Sequence, residues 1–307
     1  VNTQPERPGD DPGGAGREVQ WERLLPAEFR RAVEALPVVF LPLGTVEWHG
    51  EHNALGLDAL KAHRLCVLAA RQAGGGVVHP PLYGGMGGLD KPATVVVEGE
   101  YDWDNHLLRL WLEKLCGEFH RQGFRAVIML TGHYGHNQQI VVRETAARMT
   151  ERLQIPVLGT PEYWLAQDAG YLGDHAGIGE TSLMLWLFPE LVRLDRLRVD
   201  PDYGRTDAIE AGSSPELGRV YTELIVTRLA RLARAMPEWD AAARAAFVRA
   251  ERALVSAQVN GWRSNGPWAA WRRMFSGELT GYGQFLPDQR FDRIEEMAQW
   301  LNGPMAQ

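Results

Sequence analysis

Residues 37–44, PVVFLPLG, form an apolar run as long as one strand, and no polar side chain interrupts it. A strand of that kind is covered on both faces, as in a parallel sheet held between two layers of helices. FRAVIML, residues 124–130, repeats the pattern after its Arg125. Between the two runs, apolar residues recur at helical spacing over 59–73 (Leu60, Leu65, Cys66, Leu68, Ala69), stopped by the glycines at 74–76. They recur again over 103–122 (Leu107, Leu108, Trp111, Leu112, Leu115, Phe119), ended by Gly123. Further strands are expected over 77–83 and 155–160, with a short extended piece over 95–97. Helices are expected within 18–36, over 138–153 and from around Glu180. This alternation through about the first 190 residues predicts an α/β fold: a three-layer α/β/α sandwich with a mostly parallel sheet.

Beyond Pro201 the pattern turns helical. Ala-, Arg- and Leu-rich stretches over 215–236 and 239–259 are separated at Pro237, and residues 259–276 carry Trp262, Trp268 and Trp271. A loop and a terminal helix are expected over 278–307. Residues 1–17 combine Pro, Gly and charge with almost no large apolar group, so they are expected to be a flexible tail. The chain therefore divides into that tail, a domain over 18–238, and a helical Trp-rich C-terminal extension over 239–307. The extension is expected to pack on the domain or to serve an interface, because an exposed Trp cluster is a liability.

Composition narrows the function classes. With 32 basic and 39 acidic residues the net charge is −7, and no basic tract is present, which argues against a nucleic-acid partner. No apolar run approaches the ~18 residues a membrane helix needs, and the N-terminus has no signal pattern. Cys66 and Cys116 lie in apolar helical patterns without metal or redox spacing, so buried free thiols and a cytoplasmic location are expected.

The chemistry gathers where the apolar runs end. GTVEWHGEHNALGLDAL, residues 44–60, places Glu47, His49, Glu51, His52 and Asp58 in one turn and its exit. Carboxylate oxygen and imidazole nitrogen suit zinc, manganese or iron; an acidic surface loop is the alternative reading of this stretch. FRAVIML feeds into TGHYGHNQQ with His133 and His136, and a later Gly-rich turn carries Asp174, His175 and Glu180. The carboxyl ends of parallel strands share one edge of a sheet, so these three loops can converge on one crevice. The Gly-rich stretch 84–94, GGMGGLDKPAT, reads either as backbone in close approach to a ligand or as a mobile linker.

LPLGTVEWHGEHNALGLDA, TGHYGHNQ and HAGIGETSLML, in that order, resemble the creatininase family of metal-dependent amidohydrolases, over roughly residues 20–235. The resemblance implies a creatininase-like fold and two divalent ions (zinc, manganese or iron). Glu47 and His49 would bind different ions, Asp58 would bridge them, and His133 would complete the first. Creatininase carries a glutamate where this chain has Gly135; relatives lacking it use the glutamate of the HAG-x-x-ET motif, which makes Glu180 the fifth ligand. A bridging hydroxide held by such a pair would attack a C–N amide bond. His175 matches a histidine near the leaving nitrogen, suited to protonating it. Asp174 would orient or tune His175, or be a plain loop carboxylate. His52 would support a ligand or play a structural part, and Tyr134 and His136 are candidate substrate contacts. Trp164 matches one of two pocket tryptophans; the second has no equivalent here.

The resulting expectation is a hydrolase of a small or cyclic amide, acting as a homo-oligomer. Creatinine hydrolysis proper, deformylation of a formamide precursor, and peptide trimming in cofactor maturation are alternatives within the class. An amide-forming or transfer enzyme and a catalytically silent scaffold on the same fold are alternatives outside it.

Overall fold

A computed structural model of the chain describes residues 17–88, 91–96, 107–198, 206–265 and 280–302. Its centre is a four-stranded, all-parallel sheet of β1 (Val38–Leu43), β2 (Val77–Val78), β3 (Ala126–Thr131) and β4 (Val157–Pro161), in the order β2-β1-β3-β4. Every residue of β1 and β3 is buried, as an uninterrupted apolar run requires when both faces are covered. The two-residue period of a strand then divides the core. Val38, Phe40, Ile128 and Leu130 enter one hydrophobic cluster, while Val39, Leu41, Val127 and Met129 enter another on the opposite face.

Around the sheet lie α1 (Pro26–Ala35), α2 (Leu57–Ala73), α3 (Leu107–Arg121), α4 (His136–Leu153), α5 (Ile178–Leu187), α6 (Thr206–Gly212) and α7 (Pro215–Ala235). Residues of α2 and α7 fill the first cluster; α3 and, from α4, Val141, Val142, Ala146 and Met149 fill the second. This is the expected three-layer sandwich. The second strand is shorter than its apolar run, because Pro80 and Pro81 have no N–H to donate and leave only an isolated bridge from Leu82 to Leu43. Helices α2, α4 and α5 each begin about two residues earlier than hydrophobic spacing suggests, which puts Asp58, His136 and Glu180 in first turns.

The C-terminal part adds α8 (Ala241–Asn265), a single turn at Tyr282–Phe285, and α9 (Phe291–Asn302). Phe247, Leu254, Ile294 and Leu301 join the same cluster as Leu229 and Leu232 of α7, so packing is continuous across residue 238. A buried polar tie reinforces it. Arg143 of α4 donates from Nε and Nη2 to Glu251 Oε2 (2.9 and 2.8 Å) and from Nη1 to Gln258 (3.0 Å), while Tyr282 donates to Glu251 Oε1 (2.8 Å). Trp262 packs on His136; Trp268, Trp271 and residues 1–16 of the tail expected over 1–17 lie outside the described residues. Both cysteines are free and buried. Among the described residues no helix is long and apolar enough to cross a membrane.

Candidate metal centre

Three loops leave the carboxyl edge of the sheet and meet over the first turn of α2. The approach is close: a Cβ on Gly132, just past β3, would lie 2.2 Å from the Asp58 carbonyl oxygen, and one on Gly44, just past β1, 2.2 Å from the Ala59 nitrogen. Only glycine lets those two strand ends abut the helix. Asp58 is thereby carried to the middle of the cluster, at a helix N-terminus that favours its negative charge.

Glu47, His49, Asp58 and Glu180 are each 1 % exposed and His133 4 %. Two sets of ligand-type atoms form around Asp58, one with Glu47 and His133, the other with His49 and Glu180; the atoms of each set lie within 4.8 Å of one another. His133 Nδ1 is 3.0 Å from Glu47 Oε2 and 3.2 Å from Asp58 Oδ2. His49 Nε2 is 3.1 Å from Asp58 Oδ1 and 3.8 Å from Glu180 Oε2.

Both imidazoles are oriented from behind. His49 Nδ1 donates to the Glu47 carbonyl (3.0 Å), and His133 Nε2 to the Met86 and Gly87 carbonyls (3.0 and 3.2 Å). Each ring thus presents its other nitrogen to the carboxylates, the arrangement that fixes a metal-binding tautomer. The Met86 and Gly87 carbonyls belong to the Gly-rich stretch over 84–94 and bring its backbone to His133. Burial works against charge on these rings, yet Asp58, then Glu180 and Glu47, lift His49 to about 9, and Glu47 and Asp58 hold His133 well above its ordinary value. Burial would raise Asp58, but His49 and His133 keep it far below the carboxylate range. Three carboxylates, Glu47, Asp58 and Glu180, thus surround the two imidazoles. The cluster's donors, all oxygen and nitrogen, fit hard or borderline divalent cations.

The other expected site residues fall around this centre. His175 is partly buried; its ring stacks on His49 with centroids 4.3 Å apart, and its Nε2 donates to the Trp48 carbonyl (2.8 Å). It also forms a third ligand-type set with Glu47 and His49. Burial, with His49 beside it, pushes His175 down to about 4. Asp174, weighed as an orienter of His175, accepts from the Gly179 and Glu180 amides (2.6 and 3.0 Å) and so caps the start of α5. His52 Nε2 lies 3.2 Å from both the Ala176 carbonyl and Thr181 Oγ1. Ala176 holds a left-handed φ of 53°, and its amide donates to Glu180 Oε2 (2.7 Å). His52 thus supports the turn that anchors Glu180.

Trp164 is fully buried, under the Arg143 guanidinium (4.3 Å) and edge-on to Tyr282 (4.7 Å), so it meets the C-terminal part of the chain in the core. His136, a candidate substrate contact, is buried edge-on to Trp262 (4.0 Å), and burial lowers it to about 4. Tyr134 donates its hydroxyl to Glu162 and lies 2.5 Å from the Tyr171 hydroxyl.

Tyr134 leads to residues that sequence reasoning passed over. Lys61 is fully buried, donates to Glu180 Oε1 and to Tyr134 Oη (2.8 Å), and lies 3.0 Å from Glu162 Oε1. Burial opposes its charge, but Glu162 and Glu180 hold Lys61 above its ordinary value. Burial lifts Glu162 to about 7 against the pull of Lys61. One signal was present in the sequence: Lys61 lies three residues after Asp58 and so shares its helix face.

A family model described as creatinine amidohydrolase matches residues 22–233, most of the chain. The chain belongs to the creatininase family. Creatinine amidohydrolase of Pseudomonas putida is 30 % identical over 185 residues, covering 52 % of this chain and 68 % of that protein. The 3-dehydro-scyllo-inosose hydrolase of Thermotoga maritima is 26 % identical over 188 residues, covering 57 % of this chain and 58 % of the other. The solved structure of a mutant creatininase of Zn-Zn type superposes with a TM-score of 0.59 at 25 % identity, over 72 % of this chain and 99 % of that one. The creatininase fold is thus present, and this family member is an amidohydrolase.

Proposed function

We propose that this chain hydrolyses the C–N bond of a small or cyclic amide at a site for two divalent ions. One ion would be held by Glu47, Asp58 and His133, the other by His49, Asp58 and Glu180. The observation that carries this reading is the sharing of Asp58 by two buried sets of ligand atoms, each with an imidazole aimed by a backbone carbonyl. Such ions supply Lewis acidity and make water nucleophilic near neutral pH. Asp58, held far below the usual carboxylate range, stays ionised and can serve both sets.

His175 is the group suited to moving the proton. Held down to about 4, it is neutral at pH 7. It must therefore collect a proton from the attacking water before handing one to the leaving nitrogen, which is too basic to depart unprotonated. Its stacking on His49 and its bond to the Trp48 carbonyl fix the ring for that transfer. Tyr134, only partly buried, remains a proposed contributor to the substrate wall, and Trp164 would back it from the core through Tyr163.

The test is a set of variants assayed against small amides beginning with creatinine, with 3-dehydro-scyllo-inosose, the substrate in the name of the second relative, as comparator. Asp58→Asn should lose both ions and all turnover. His175→Gln should keep the metal content of the wild type and lose about 10²–10⁴-fold in kcat. Turnover surviving in Asp58→Asn would remove the reading.

A further inference from the structure

We propose that Lys61 is a positioning residue for the second ion: its ammonium group clamps one oxygen of Glu180 so that only the other faces the His49–Asp58 side. The inference rests on the two-ion reading above and adds a residue to it.

Glu180 stands in for a ligand that the creatininase resemblance places at position 135. A Cβ at Gly135 would lie 2.3 Å from the Met86 carbonyl oxygen and 2.7 Å from His133 Nε2, the two atoms of the bond that orients His133. That position cannot carry a ligand while His133 is held in this way, so the second set must take its carboxylate from α5. A glutamate on a different helix arrives with three side-chain torsions to fix. Two contacts fix them: Lys61 on Oε1, and the Ala176 amide on Oε2 at 2.7 Å. Oε2 keeps a lone pair toward the His49 side, where Nε2 is 3.8 Å away.

Lys61 is itself held from outside the ligand sets. Glu162, fully buried at the end of β4, lies 3.0 Å from its Nζ, and Tyr134 lies 2.8 Å from it with its ring beneath the ammonium (4.3 Å). A buried lysine needs this company, because an unpaired ammonium would be strongly destabilising. The outcome is a rigid chain from β4 through α2 to α5. Outer partners of metal ligands typically carry 10–100-fold in metal affinity.

Lys61 could instead be only a counter-charge, and the two roles predict opposite signs. Removing a cation beside a metal site strengthens cation binding by Coulomb's law, whereas removing an anchor weakens it. The variant Lys61→Met with Glu162→Gln separates them. It deletes one positive and one negative charge together, keeps both shapes, and leaves no unpaired carboxylate at 162. The full-length chain, stripped with chelator, is titrated with Zn²⁺ and in parallel with Mn²⁺ by calorimetry, with elemental analysis of the loaded protein and a thermal melt. The expected result is a first ion bound as in the wild type and a second bound about 10–100-fold more weakly. Equal or tighter binding of the second ion, or loss of both ions together, overturns the positioning role. Failure of the wild type to bind two ions would fall on the two-ion reading instead, so the two failures are distinguishable. If the double variant does not fold, Tyr134→Phe alone carries the test, because it removes an uncharged partner of Lys61 (2.8 Å) and leaves every charge around the site in place. The same selective weakening of the second ion is then expected, and its absence overturns the role.

Discussion

Restoring the missing glutamate should damage this site. The Gly135→Glu substitution installs the carboxylate that the creatininase resemblance places there. The backbone poses no obstacle, since Gly135 has φ −43° and ψ 127°, open to any residue. Space does. The new Cβ would sit 2.3 Å from the Met86 carbonyl oxygen, where real contacts do not fall below 3.0 Å, and 2.7 Å from His133 Nε2. Both neighbours are parts of the site, so relief requires breaking the 3.0 Å bond between them. Overpacking of this kind costs about 1–3 kcal/mol, on the order of 5 °C in Tm for a chain of this size. Loss of the carbonyl that orients His133 adds a drop of about 10–100-fold in affinity for the ion beside Glu47. Gly135→Ala should show the same stability loss without supplying a carboxylate. Thermal melts and Zn²⁺ titrations of both variants provide the check. A Gly135→Glu protein with an unchanged Tm and two tightly bound ions would refute the packing argument.

Other outcomes follow from the same geometry. Loading the metal-free protein at pH 7 should release at least one proton, because the carboxylates around His49 hold it at about 9; calorimetry in buffers of different ionisation enthalpy reads the number directly. His136 is depressed in the fold to about 4 against 6.5 when exposed, so its neutral form is favoured and stability should fall as pH drops from 6.5 towards 4, by at most about 3 kcal/mol. Urea unfolding of His136→Phe across that range should show a flatter pH dependence than the wild type; an identical slope counts against the assignment. Arg143→Met should lose about 3–5 kcal/mol by stranding the buried Glu251 carboxylate. Adding Glu251→Met should recover much of it, and a lack of recovery would mean that the pair is not the cause.

The sheet was readable because its strands are buried on both faces. VVFLPL and AVIMLT carry no alternation to misread, and the motifs after them fall at one edge once the strands are parallel. Glu47, His49, Asp58, His133 and Glu180 could be gathered from that argument and from the resemblance. What sequence left hidden were groups whose burial depends on distant partners. Lys61 looks like an ordinary polar position of an amphipathic helix, and only the arrival of Glu162 and Glu180 from β4 and α5 makes it a core residue. Arg143 and Glu251 are hidden for the same reason, each reading as surface charge until α8 lies on α4. His136 errs in the other direction: a histidine beside a metal motif invites a chemical role, but its helix begins early and turns the ring into Trp262. Asp174 reads in sequence as an orienter of His175 or a plain loop carboxylate, and the bonds it accepts from Gly179 and Glu180 become visible only once α5 is placed.

The central claim is that Asp58 is shared between two ions. An anomalous-difference map from a crystal of the full-length protein grown with Mn²⁺ or Zn²⁺, recorded at the metal edge, tests it most directly. The account predicts two peaks flanking the Asp58 carboxylate, one against Glu47 and His133 and the other against His49 and Glu180. A single peak, or a second one away from Glu180, would contradict it.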